Sequence, residues 1–205
     1  DYERLFEYVE PNDDNKGSYS LRSYELLIRT CIELESQFRS ILITNGYQKD
    51  EKNCKMDTDY FKVNATHRLS DYEVLMPIWN GSLNLRKPFN QWNSTVYQGL
   101  PWYQAYNQVK HNRIKNFSLA SLLNATDALC GLLVLLASQF HNSNFAEREI
   151  SCGYGFEAFT DGLESAIGTP FRIKFPDNWN EEEKYDFKWA DIKDQPNRYA
   201  SINYT

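Results

Sequence analysis

Asn107 and His111 are the residues at which chemistry would first be sought in this sequence. They stand four positions apart, so on a helix they share one face. An imidazole can give or take a proton near neutral pH. Lys110 and Arg113 belong to the same run, Tyr106-Asn107-Gln108-Val109-Lys110-His111-Asn112-Arg113, and cations of this kind can hold a phosphate. Asn107 can orient the imidazole or a bound ligand. The same residues also read as a solvated helix face with a surface histidine, and on residue types alone that plainer reading is the stronger. The other histidines offer less. His67 falls in an irregular stretch, and His141 follows a long helix whose C-terminal dipole it can meet.

Other chemistries lack their residues. The chain has no Gly-rich phosphate loop ending in Lys-Ser/Thr, no G-x-S-x-G elbow and no H-E-x-x-H pair. Gly153-x-Gly155 is not framed by a strand, turn and helix, so it makes no dinucleotide fingerprint. Glu181-Glu182-Glu183 reads as a solvated turn. Cys31, Cys54, Cys130 and Cys152 have neither metal-ligand spacing nor a disulfide-dense pattern, and Cys31 and Cys130 fall on apolar helix faces as buried thiols. No metal and no cofactor is expected.

The elements that must position Asn107 and His111 read as helices. Tyr2, Leu5, Phe6 and Val9 share a face ahead of Pro11. From Leu21 to Thr44, apolar residues recur every three or four positions, with Ser20 as N-cap, Asn45-Gly46 as stop, and Glu35 and Arg39 as a flanking pair. Pro101 opens a helix running to about 115. One stripe of it is Trp102, Tyr106, Val109 and Arg113; the next is Tyr103, Asn107, His111 and Ile114. Ser118 is placed to cap a third long helix over 119–140, broadly apolar and so central or at a dimer interface. Leu27, Leu34, Phe38, Leu129, Leu132 and Leu136 are the expected core.

Between these helices, 47–100 reads as an irregular connector with a short hairpin around Asn80-Gly81. After residue 144, Phe171, Ile173 and Phe175 alternate with other residues, as do Tyr185, Phe187 and Trp189. This predicts two short strands forming a hairpin in a C-terminal extension over 145–205, packed on the same domain. The expected fold is mainly α, a helical bundle over 1–144 with a small C-terminal β-hairpin.

Charge is unevenly spread. The net charge is −6, yet no acidic residue lies between Glu73 and Asp127, where Arg86, Lys87, Lys110, Arg113 and Lys115 stand. A locally basic middle can bind an anion despite a negative total. The longest apolar run, Ala128 to Ala137, falls short of the roughly 20 residues of a membrane span, so no membrane role is expected. Asn64, Asn80, Asn93, Asn116, Asn124 and Asn203 each begin an N-x-S/T triplet, but the cysteine pattern favours a cytoplasmic over a secreted protein.

The Tyr-Asn-x-x-Lys-His-x-Arg run, with Trp102 before it and an Ala/Leu-rich helix after it, resembles bacterial members of the HEPN superfamily. The helix opening Ser20-Leu-Arg-Ser-Tyr-Glu-Leu-Leu, with Cys31 and Glu35, fits the same family. The resemblance covers roughly 1–45 and 100–142. It implies an up-and-down bundle, a homodimer with the Asn107/His111 faces approaching each other, and metal-independent action on RNA in a toxin–antitoxin or anti-phage system. An antitoxin or other partner protein is implied as well. The family motif is an Arg, a polar residue and a His four to six positions beyond the Arg. Here His111 matches the His, Asn107 matches the polar residue, and Tyr106 stands where the Arg belongs.

Two readings follow. One is an endoribonuclease in which His111 moves the proton, Asn107 positions it, and Lys110 or Arg113 replaces the missing Arg beside Tyr103 and Tyr106. The other is a non-catalytic dimeric module binding RNA, a nucleotide or a protein partner.

Overall fold

The computed structural model describes residues 2–141, 163–165, 171–179 and 202–204. Among them the chain is mainly helical with one small antiparallel sheet. The first helix, α1 (Tyr2–Leu5), is shorter than its apolar period suggested, and the chain continues to Val9 through turns. A single helical turn has little cooperativity with which to propagate.

Helix α2 (Leu21–Thr44) runs where the spacing predicts. Ser20 and Ser23 cap it reciprocally. The Ser20 side chain accepts from the Ser23 backbone amide at 3.1 Å, and Ser23 Oγ accepts from the Ser20 amide at 2.8 Å. At the other end Asn45 Nδ2 donates to the Ile41 carbonyl at 2.7 Å, and Gly46 takes φ +75°, which a side chain would resist.

The connector carries more order than its composition suggested. Asp59, buried, accepts from Tyr47 Oη, Lys49 Nζ and the Lys55 amide at 2.7 Å each, and from Thr58 Oγ1 at 2.8 Å. One carboxylate thus organises the loop in place of a hydrophobic period. Helix α3 (Val63–His67) follows, then strands β1 (Glu73–Leu75) and β2 (Leu85–Arg86), paired antiparallel with Val74 opposite Arg86. Their loop contains Asn80-Gly81, the expected hairpin position.

Strands β3 (Glu164–Ser165) and β4 (Arg172–Lys174) extend the sheet, whose order among the described residues is β2-β1-β4-β3. The strand expected around Phe171–Phe175 is present, paired with β1 and β3. The hairpin partner expected over 185–189 lies outside the described residues. Val74 and Ile173, both fully buried, stand opposite each other across β1 and β4. An apolar cross-strand pair of this kind joins distant segments with no local turn signal.

Helix α4 (Pro101–His111) starts at its proline as expected. It ends at His111 rather than near 115, because Asn112 leaves helical geometry (φ −147°, ψ 81°). Asn112 then caps a separate turn, α5 (Arg113–Asn116), its side chain accepting from the Lys115 amide at 3.2 Å. The last long helix, α6 (Leu122–Phe140), begins three residues later than expected, and Ser121 rather than Ser118 is its cap. Carbonyls of the loop before α2 take its first free amides. Leu122 donates to Ser18 at 2.7 Å and Leu123 to Lys16 at 3.0 Å.

Helices α2, α4 and α6 meet in one core. Leu27, Leu34 and Phe38 of α2 are fully buried, as expected. On α6 the expected Leu129, Leu132 and Leu136 are only half-buried, while Cys130, Val134 and Leu135 are fully buried. The small residues Ala125, Ala128 and Gly131 explain this rotation, for they let α2 and α4 approach closely. A Cβ on Gly131 would stand 3.0 Å from Trp102 of α4 and 3.5 Å from Leu34 of α2. By length and composition α6 could cross a membrane, yet most of it is buried inside this fold.

Candidate functional site

The predicted site face divides along its length. Trp102, Tyr106 and Val109 of the first stripe are core, with Tyr106 fully buried. The second stripe starts at buried Tyr103, passes half-buried Asn107, and reaches exposed His111 and Ile114. Tyr103 and Tyr106 therefore face inward and His111 outward.

The inward part is a closed polar network. Tyr103 Oη donates to Glu35 Oε1 at 2.8 Å. Lys110 Nζ donates to Tyr106 Oη at 2.9 Å and lies 4.9 Å from the centre of that ring. Burial pushes both phenols well above the ordinary tyrosine range, and the Glu35 carboxylate adds to the shift. Burial likewise pushes the neighbouring Cys31 thiol up. These groups stay protonated, and the Tyr103–Glu35 bond ties α4 to α2. Glu35, first read as the flanking partner of Arg39, instead anchors Tyr103. Only the packing of α2 on α4 reveals that role.

The outward part is open and basic. Lys110, His111, Arg113 and Lys115 are exposed. Among the described residues no carboxylate forms an ion pair with any of them, and neither Asn107 nor His111 makes a side-chain hydrogen bond. Arg113 does not flank the Asn107/His111 face as the continuous-helix expectation had it. The break at Asn112 turns it away, and its guanidinium carbon lies 4.7 Å from the Tyr24 ring centre and 5.2 Å from that of Phe117. The remaining cations of the acid-free stretch are neutralised within the fold. Lys87 Nζ meets Glu73 at 2.6 Å, and Arg86 Nε donates to Asp127 at 2.6 Å with both side chains largely buried. Burial raises the Asp127 carboxyl, and Arg86 opposes that shift.

The other histidines have separate surroundings. His67 is buried, its Nδ1 2.8 Å from Thr66 Oγ1, which lies 2.9 Å from Tyr204 Oη. Burial pushes its pKa down to about 4, so the ring is neutral. His141 ends α6 and stacks on Phe175 at 4.5 Å. Among the described residues no group of three or more His, Cys, Asp or Glu side chains could hold a metal ion, and Cys31, Cys54 and Cys130 are free.

This arrangement can attract a polyanion, whereas general acid–base catalysis would need more from it. A catalytic imidazole is normally oriented by a second group, and His111 has no such partner among the described residues. Neither the family models, nor the characterised proteins, nor the solved structures with which the chain was compared gave a match.

Proposed function

We propose that this chain is a HEPN-like helical module that binds RNA through the basic end of α4 and α5 without cutting it. The observation that carries the reading is the exposed set Lys110, His111, Arg113 and Lys115, free of carboxylate partners among the described residues. An unneutralised cluster on an otherwise acidic protein serves long-range attraction to phosphate rather than local stability. The non-catalytic half of the proposal rests on Tyr106. It occupies the position of the family's Arg and lies in the core, while Lys110 is folded back onto its phenol. Arg113 is likewise turned onto Tyr24 and Phe117, so neither of the two candidate substitutes for the Arg is held toward His111 to balance a phosphorane-like charge.

The proposal includes a two-fold dimer. Half-buried Leu129, Leu132 and Leu136 offer α6 a stripe of further apolar surface, and an isologous contact would present each basic end twice. Fluorescence anisotropy with labelled RNA at increasing salt tests the binding. Affinity should fall steeply with salt, and Lys115→Ala should lower the log–log slope by about one. Absence of binding at low salt would overturn the proposal. RNA products bearing 2′,3′-cyclic phosphate ends, formed in the presence of chelator and lost in His111→Ala, would replace it with the endoribonuclease reading. Light scattering that finds a monomer at micromolar concentration and above would remove the dimer.

A further inference from the structure

Beside the basic end lies an aromatic group drawn from three places in the chain. Tyr19 comes from the approach to α2, Tyr24 from its first turns, and Phe117 from the turn after α5. The Phe117 ring meets Tyr19 edge to face at 5.6 Å and Tyr24 at 6.0 Å. Arg113 lies over both Tyr24 and Phe117. Tyr19 is held near by the bridge between its own backbone and that of Ser121. A cluster serving packing alone would hide its apolar surface. Here Tyr19 is 53% exposed and the neighbouring Ile114 is 98% exposed. The segment that carries Arg113 and Phe117 contains no acidic residue, and Lys115 stands between them.

We infer that Tyr19, Phe117 and Arg113 form a stacking platform for unpaired nucleobases, so that the RNA bound here is single-stranded. The inference rests on the RNA-binding reading above and names the form of RNA it requires. A base offers a π-face to Tyr19 and to the guanidinium plane of Arg113, which Tyr24 and Phe117 already hold in place. Because the plane is held before binding, little side-chain entropy is lost when a base lands on it. Bases in a duplex are stacked on one another and cannot offer that face, so a platform of this kind selects single strands. Lys115 supplies a phosphate contact, which by itself does not distinguish strand number or sequence. Ile114 adds an apolar edge against which a splayed base or ribose can rest.

The test compares three labelled ligands on the full chain: a short RNA of mixed sequence, the duplex of that strand, and an abasic strand of equal length. The parent should bind the single strand most tightly. Tyr19→Ala should bind it about tenfold more weakly, within the range for losing one stacked base, with its salt slope unchanged. Binding of the duplex and of the abasic strand should not change. Arg113→Lys keeps the charge and removes the plane, so it should reproduce the same selective loss, and it decides the matter if Tyr19→Ala disturbs folding. Lys115→Ala should instead weaken all three ligands. If the parent binds duplex and abasic strand as tightly as the single strand, the platform is overturned and RNA binding stands. The same conclusion follows if both stacking variants match the parent. If the parent binds none of the three at low salt, both readings fall.

Discussion

Helix α4 carries two regions cut from one motif, and they behave oppositely. Toward its start, Tyr103 and Tyr106 are buried and hydrogen-bonded, Tyr103 to Glu35 of α2 and Tyr106 to Lys110 of α4 itself. At its end, His111 is exposed and makes no side-chain hydrogen bond among the described residues. In sequence these residues form one polar, aromatic stretch. In the fold the first group serves stability and the second is free to serve binding. Residues that share a helix face thus need not share a role, because the neighbouring helix covers only part of that face. The histidines repeat the contrast, with His67 sealed in the core and His111 in water.

The largest effect that could break this comparison lies at Tyr106. Tyr106→Ala should cost about 3–5 kcal/mol, as truncation of a fully buried aromatic does, read as a shift in urea midpoint. Tyr106→Arg should also destabilise, since it places a guanidinium in a site that excludes water. A stable, RNA-cleaving Tyr106→Arg variant would show that this position belongs to the open region after all.

A second, smaller contrast separates two leucines of α6. Leu135 is fully buried and Leu132 half-buried. Leu135→Ala should cost about 2–5 kcal/mol and Leu132→Ala clearly less, measured in the same denaturation series. Equal losses would mean that Leu132 is covered in solution, as it would be by a second copy across a dimer interface.

Third, the two histidines should differ in their response to acid. The folded-state pKa of His67 is about 4, below its ordinary 6.5, so the unfolded chain binds the extra proton first. Its contribution is intact above pH 6.5 and is lost as pH falls from there toward 4, roughly 3 kcal/mol in all. His67→Gln should flatten that slope, and a parent whose urea midpoint is unchanged across this window would refute the burial argument. Asp59 acts in the adjoining window. Burial alone would raise its carboxyl, but the hydrogen bonds from Lys49, Lys55, Tyr47 and Thr58 outweigh burial and hold it well below its ordinary 3.8. Its contribution is therefore lost only as pH falls below 3.8.

The smallest effect is expected at His111. An exposed side chain without hydrogen bonds should change stability by no more than about 0.5 kcal/mol when replaced by Ala. A larger loss would show His111 to be tied into structure that α4 by itself does not reveal.

Several of these features were legible before any tertiary structure. The period from Leu21 to Thr44, its serine cap and its Asn-Gly stop are local, because backbone geometry and near neighbours decide them. Pro101 as the start of α4 and the burial of Cys31 and Cys130 follow from the same short-range rules. The loop around Asn80-Gly81 falls where expected but is held by Pro11 and Asp13. The sequence also determined that a basic, acid-free segment surrounds His111, since that is a matter of composition. Tertiary structure alone decided the rest. Which side of α6 is inward depends on where small residues admit Trp102 and Leu34, and an apolar count cannot see that approach. The pairing of β4 with β1 joins residues about a hundred positions apart, beyond the reach of any turn signal. The break at Asn112 swung Arg113 onto Tyr24 and Phe117, an arrangement to which two distant segments contribute. The division of one helix face into a sealed half and an open half had the same cause. Burial belongs to pairs of elements, and a sequence read one element at a time carries only half of each pair.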